Sequence, residues 1–513
     1  MALRAALLKM NCLLGVSLAL VLAGAAAAAS PTVRIDSGVV VGVEKGPAAV
    51  FRAIPYAAPP VGPRRWKPPA PVPPWSEPRM SSEPGPACMQ DVRPTGTNLG
   101  GYAGPVSEDC LTLDVTAPAK RGSKPAAVLV WIPGGGNVAG GANVPSYDGV
   151  NFARDGVIVV TMNYRLGALG FFAHPALTRE APAGQPLINY GLMDQIAVLK
   201  WVGRNIAAFG GDPQRVTLSG ESAGGQDTLA LMAAPAARGL YQRAIVESGG
   251  GWSRLSDLAQ HEARGAALAS RLGLPGAEAS AGQLRALPAD RLAVDAGDLG
   301  RDGRLVLQSD IQAFGHGDEA PTPLLIGSNS NEASLAPAFG GLDFPIPAAF
   351  RTAYADAPDD AEMRRQMFND RAMGAPARWL VTRHSAKAPA YLYYFSYVPE
   401  RQRQNPEGTN KYARPGTNHG SEIPFVFDSL DAVPGRTPLI TPSERAAATL
   451  AHSCWVGFIK TGAPQCAGGQ AWPAYRPATD QLLEIGEGAS VRKHFRKAQL
   501  DAQEAVASAL LAQ

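Results

Sequence analysis

The sequence predicts an α/β fold, a mostly parallel central sheet with helices on both faces. Three observations carry this. Short apolar runs (Ala126–Ile132, Val157–Met162, Arg215–Ser219, Ala244–Glu247, Pro323–Gly327) stop at or near Gly, Asn or Ser, as strands buried on both faces do. Helical patterns lie between several of them, notably Leu192–Ile206, where Leu192, Ile196, Leu199 and Val202 share one face. Strands alternating with helices in this way favour parallel pairing. The third observation is composition: 46% of the 513 residues are hydrophobic and 18% charged, which excludes a disordered chain.

The elements follow in chain order. Met1 to Asn11 carries only positive charge (Arg4, Lys9), and Cys12 to Ala29 is apolar with an alanine-rich end. This pattern predicts a signal peptide over residues 1–29, and a secreted or periplasmic protein. A retained membrane anchor is the rival, since the run approaches spanning length. Val33–Ile35 and Val39–Val43 predict a hairpin around Asp36-Ser37-Gly38. The Pro-rich stretch from Pro55 to Trp75 predicts an ordered surface loop rather than a partner-binding peptide. Residues near 252–320 and 335–388 are richer in helix formers and predict cap-like insertions over one end of the sheet. With no repeat or disordered linker, residues 30–513 are expected to form a single domain.

Charge and cysteine usage narrow the partners. A net charge of +3, part of it in the segment expected to be removed, gives no electrostatic footprint for nucleic acid or anionic membrane. Of five cysteines, Cys12 lies in the export segment. Export puts Cys88, Cys110, Cys454 and Cys466 in an oxidising compartment, where two local bridges are the simplest of three pairings. Zinc binding is the alternative, but no CxxC or close Cys/His pair supports it. No metal or cofactor is expected.

The sharpest local signal is Gly220-Glu221-Ser222-Ala223-Gly224, preceded by the strand Arg215–Ser219 and followed by a helix expected from about Gln226 to Pro235. A serine at a strained strand-to-helix turn needs small flanking residues, and glycines stand at −2 and +2. An ordinary glycine turn is the bland alternative. The strand Ala126–Ile132 runs directly into Pro133-Gly134-Gly135-Gly136. Three glycines let backbone N–H groups face inward, so Gly135 and Gly136, with Ala223, form a candidate oxyanion hole. A phosphate-binding loop is the competing idea, but the Gly-Lys-Ser/Thr ending is missing.

A serine nucleophile needs a base. Of seven histidines, His419 stands apart, in the loop Gly416 to Pro424 after the expected strand Tyr391–Val398. The surroundings of the other six suggest helix or surface. The orienting acid should follow another strand, between serine and histidine in the chain. Glu332, just after Leu324–Gly327, fits that place, though other acids lie in the interval.

Beyond these residues the chain resembles the type-B carboxylesterases, the α/β-hydrolase family of the cholinesterases and para-nitrobenzyl esterases. The resemblance runs through Tyr56-Ala57-Ala58-Pro59-Pro60-Val61-Gly62, Ser107-Glu108-Asp109-Cys110-Leu111 and Asn163-Tyr164-Arg165-Leu166-Gly167. It continues through Phe209-Gly210-Gly211-Asp212-Pro213, the Ser222 motif and His419-Gly420-Ser421-Glu422, spanning roughly residues 31 to 490. It implies an α/β-hydrolase fold, a small-molecule ester as substrate, Ser222 as nucleophile, His419 as base and Glu332 as acid. It also implies a Cys88–Cys110 bridge. Three positions depart from the family pattern: Pro133 before the glycines, Asn137 after them, and Ala333 after the acid. Ala333 is a mild change unless its backbone needs positive φ.

The chemistry implied is a two-step acyl transfer. His419 must be neutral to act, so at its reference pKa activity should fall below about pH 6–6.5. Glu221, beside the nucleophile, is placed to raise that pKa. The alternatives are an amidase or thioesterase using the same residues, and a non-catalytic binding protein on the same scaffold. Asn137–Tyr147, Trp252–Leu255 and Phe339–Phe350 are expected to shape the substrate pockets.

Overall fold

The computed structural model of the protein describes residues 30–92, 100–295, 297–403 and 416–511. The export segment expected at 1–29 lies outside the described residues. Eleven strands form the central sheet. In chain order they are β1 (Val43–Lys45), β2 (Ala48–Pro55), β3 (Thr112–Pro118), β4 (Ala126–Ile132), β5 (Val157–Met162), β6 (Gly211–Glu221), β7 (Arg243–Glu247), β8 (Leu324–Asn329), β9 (Ala390–Phe395), β10 (Gln481–Ile485) and β11 (Ala489–Lys493). Their spatial order is β1-β2-β3-β5-β4-β6-β7-β8-β9-β10-β11. The seven from β5 to β10 in that order are parallel to their neighbours. The edges are antiparallel: β1, β2 and β3 on one side, β11 on the other.

The apolar runs of the parallel strands are explained by where alternate residues go. Val128, Val130 and Ile132 of β4 enter one core with Leu192, Leu199 and Val202. Ala127, Leu129 and Trp131 enter a second core, on the other face, with Trp455 and Phe458. The helix expected over Leu192–Ile206 is α1 (Tyr190–Asn205), and its predicted apolar face is the buried one.

Of the boundaries that differ from expectation, three have a plain structural setting. The N-terminal hairpin pairs Thr32–Ile35 with Gly38–Val41, ending before Val43 because Val43 already belongs to the main sheet. The helix after Ser222, α2 (Ala223–Ala233), starts three residues earlier than expected. Gly224 and Gly225 are weak helix formers and hid its first turn, which tertiary packing enforces. The third is β9, which stops at Phe395 rather than Val398.

Residues 252–320 contain four short or medium helices, the longest α3 (Leu258–Arg271). Residues 335–388 contain α4 (Asp360–Asn369), a π-turn at Asp370–Gly374 and α5 (Ala375–His384), which lies against β8 and β9. The Pro-rich stretch is ordered around buried Trp66, whose Nε1–H donates to Ala168 O at 2.8 Å. Cys88 bonds Cys110 and Cys454 bonds Cys466, so the thiols hold no zinc. Among the described residues, no helix is long and apolar enough to cross a membrane.

Candidate active site

The parallel strands β4, β6 and β8 all end at the same edge of the sheet, where ligands bind in open parallel sheets. Each expected site residue leaves one of these strand ends or a loop beside them. Ser222 follows β6 directly, with φ 56° and ψ −123°. A non-glycine residue there costs about 1–3 kcal/mol of strain, and such strain concentrates at functional sites. The flanking glycines are steric necessities. A Cβ on Gly220 would lie 2.3 Å from the backbone of Gly224, and one on Gly224 would lie 2.1 Å from Ile132 O. Helix, strand and the loop after β4 therefore close onto the serine as tightly as backbones allow.

The loop after β4 turns under the same site. Gly135 and Gly136 have φ of 121° and 64°. A Cβ on Gly134 would come within 2.7 Å of Glu221 O and 3.2 Å of Ser222 Cβ. Among the described residues, the N–H groups of Gly135, Gly136 and Ala223 have no hydrogen-bond partner, and all three residues line one cavity of about 620 Å³ with Ser222 and His419. Asn137, the unusual residue after the glycines, points away from that cavity and fixes the loop. It takes φ 57°, which asparagine tolerates. Its Nδ2–H donates to buried Asp227 Oδ1 at 3.1 Å, and its Oδ1 accepts from Tyr164 OH at 2.8 Å. Tyr164 OH also lies 3.0 Å from Pro133 O, so one phenol pins two of the three departures from the family pattern, Pro133 and Asn137.

Glu332 begins the turn after β8 and is fully buried. Its Oε1 accepts from Ser248 Oγ at 2.6 Å and Asn329 N at 2.7 Å. Its Oε2 lies 2.6 Å from His419 Nδ1. Ala333 does not adopt positive φ, and its methyl packs against Ala336 and Leu342. The His419 loop is stitched to the Glu332 loop by Asn331 N–H to Thr417 O at 2.8 Å, Asn331 Nδ2–H to Asn418 Oδ1 at 2.7 Å and His419 N–H to Ser334 Oγ at 3.0 Å. These positioning residues escaped the sequence reading. The one available signal was the Ser248-Gly249-Gly250-Gly251 run after a buried strand.

The imidazole is only 11% exposed, and its Nε2 makes no hydrogen bond within the protein. Instead Nε2 stands 3.1 Å from Glu221 Oε1. Burial alone would push the His419 pKa down. The carboxylates of Glu221, Glu332 and Glu422 outweigh it and raise the group to about 10. These carboxylates favour an acid limit above the pH 6–6.5 that a reference imidazole would give. Glu221 titrates with it: burial pushes its pKa up to about 7. Burial also raises Glu247 to about 8, and Glu422 well above the usual carboxylate range. So dense a set of buried acids cannot all ionise, and protons held on Glu221, Glu247 and Glu422 moderate the field at the imidazole.

Of the other four buried histidines, His261 sits in α3 outside the Ser222 cavity, and the remaining three are committed elsewhere. His384 meets Glu319, His452 meets Asp155 and Val426 O, and His174 caps a short helix. Among the described residues no cluster of acids, cysteines and histidines is arranged to hold a metal ion. A larger cavity of about 740 Å³ shares only Gly420 with the Ser222 cavity and contains neither serine nor imidazole. Asn143–Ser146 line that second cavity, so of the expected segment Asn137–Tyr147 only Val138 faces Ser222. Trp252 and Phe339 line the Ser222 cavity as expected, and Arg371–Met373 do so unexpectedly.

Comparison with known proteins agrees with this arrangement. The carboxylesterase family model matches residues 29–356 and 345–503. Fumonisin B1 esterase of Sphingopyxis macrogoltabida is 34% identical over 501 residues, covering 88% of this chain and 86% of the relative. Para-nitrobenzyl esterase of Bacillus subtilis (strain 168) is 34% identical over 483 residues, covering 88% and 94%. A solved PNB esterase structure superposes with a TM-score of 0.78 at 30% identity, covering 92% of this chain and 99% of that one. These structures share the α/β-hydrolase fold. The chain belongs to the carboxylesterase family, whose reaction is the hydrolysis of carboxylic esters.

Proposed function

We propose that the chain hydrolyses small-molecule esters through an acyl-enzyme on Ser222, with His419 as general base and Glu332 as its orienting acid. The observation that carries this is the 2.6 Å Glu332–His419 contact beside a cavity that also holds a strained serine. Glu332 accepts a hydrogen bond from Nδ1–H and holds that tautomer, which leaves the Nε2 lone pair for the serine hydroxyl. As Ser222 Oγ attacks the ester carbonyl, its proton passes to Nε2. The carbonyl oxygen takes up negative charge, and the N–H groups of Gly135, Gly136 and Ala223 stabilise it. Each such donor is worth about 3 kcal/mol in the transition state. His419 then protonates the leaving alcohol, and water repeats the sequence to release the acid.

Export is the second part of the reading. Residues 1–29 carry the pattern of a cleaved signal, and two disulfides suit an oxidising compartment outside the cytoplasm. The relatives' names differ in the ester acted on, so they support a reaction class and no particular substrate. The test is turnover of p-nitrophenyl acetate and butyrate by the wild type and Ser222→Ala. A loss of about 10⁴-fold or more in kcat is expected. Equal rates in the two proteins would remove Ser222 from the mechanism.

A further inference from the structure

The Ser222 cavity does not end at its own walls. A second, strongly apolar cavity of about 680 Å³ adjoins it, and Leu335, Phe339, Arg371, Ala372 and Met373 line both. Apart from His419, Arg371 is the one basic side chain among the described residues lining the Ser222 cavity. It is solvent-exposed and makes no hydrogen bond or ion pair among the described residues. The nearest acid along the chain is not available to it. Asp370 is buried, and its carboxylate takes Arg496 Nε at 3.1 Å, Arg496 Nη2 at 2.8 Å and Tyr354 OH at 2.8 Å. Asp370 anchors the π-turn Asp370–Gly374 to the fold while Arg371 projects from it uncompensated. Single π-turns of this kind recur at functional sites. The acids around Ser222 are committed too: Glu332 to His419 and Ser248, Glu221 against the imidazole.

We propose that Arg371 is a specificity-determining residue, and that the substrates are esters carrying a carboxylate on an apolar chain. This rests on the serine esterase reading above. The chain lies along the apolar cavity, and the guanidinium takes the carboxylate at the junction of the two cavities. A planar guanidinium binds a carboxylate through two parallel N–H donors, which a lone ammonium cannot match.

The test compares two esters that differ only in the terminal charge, p-nitrophenyl octanoate and the mono-p-nitrophenyl ester of suberic acid. In the wild type, the suberate-to-octanoate ratio of kcat/KM is expected to fall as salt rises. Arg371→Gln should lower that ratio by about ten-fold, mainly through KM, and leave octanoate turnover within about two-fold. Arg371→Lys should recover part of the ratio, as a merely structural role would not. An unchanged ratio in Arg371→Gln would overturn the assignment while leaving the esterase reading intact. Undiminished hydrolysis of both esters by Ser222→Ala would overturn the esterase reading instead.

Discussion

Replacing Glu221 with glutamine tests whether the buried acids set the working pH of the site. Glu221 Oε1 stands 3.1 Å from His419 Nε2, the nitrogen proposed to accept the serine proton. At that distance a unit charge stabilises the imidazolium by about 1.3 kcal/mol with bulk-water screening, and about 5 kcal/mol with the screening usual for protein sites. At 1.36 kcal/mol per unit, this corresponds to about one to four pH units. The sign follows directly. The carboxylate favours the charged imidazole and raises its pKa, so removing the carboxylate lowers it. In the wild type the acid limb of kcat/KM should lie above the reference value of about 6.5. In Glu221→Gln it should move down by about one unit or more, because a Glu221 that is itself partly protonated near neutrality contributes less than a full charge. The assay is the pH profile of kcat/KM for p-nitrophenyl butyrate from about pH 5 to 9. Gln is nearly isosteric, so thermal melting should change little. A limb that stays in place, or moves to higher pH, would refute the electrostatic account of His419.

Three further outcomes follow from the geometry. Glu332→Gln keeps the contacts from Ser248 and Asn329 possible but offers His419 Nδ1 an amide instead of a carboxylate; kcat should fall by up to about 10⁴-fold with KM little changed, measured by steady-state kinetics. Gly135→Ala puts a methyl 2.3 Å from Ala139 O at a residue with φ 121°, so the loop must move; kcat should drop by about 10²-fold or more while circular dichroism reports a folded protein. Asn137→Ala strips Asp227 and Tyr164 of a buried partner; it should lower stability by about 1–3 kcal/mol in denaturant titration and kcat by about ten-fold, since the oxyanion loop loses its clamp.

The scaffold was legible in the sequence wherever one local rule decided the outcome. Uninterrupted apolar runs marked β4 and β5 to the residue, because burial on both faces leaves no room for alternation. Glycine spacing marked the serine, because Gly220 and Gly224 are needed where two backbones nearly touch. Where local propensity and tertiary packing disagreed, the sequence misled. Gly224 and Gly225 hid the first turn of α2, the turn that carries the proposed oxyanion donor Ala223 N–H. Apart from the glycine run after Ser248, the positioning contacts had no local signature. Ser248, Asn329 and Asn418 act across separations of 84 residues (Ser248 to Glu332) and 89 (Asn329 to Asn418), which no window along the chain can join.

The acids illustrate why the electrostatics of a site resist one-dimensional reading. In the sequence Glu221, Glu247, Glu332 and Glu422 stand far apart, at strand ends and in loops, and only Glu221 and Glu332 were tied there to the chemistry. Folding gathers them because parallel strands deliver their ends to one edge, and the residues there are buried by the loops that follow. Three groups answer the four acids: Trp455 Nε1–H donates to Glu247 at 2.9 Å, Asn329 Nδ2–H donates to Glu422, and the imidazole stands beside both Glu221 and Glu332. Composition could bound their number but not their proximity. It is the proximity that lifts His419 away from its reference pKa, and so the pH dependence of the enzyme is a property of the sheet topology before it is a property of any one residue.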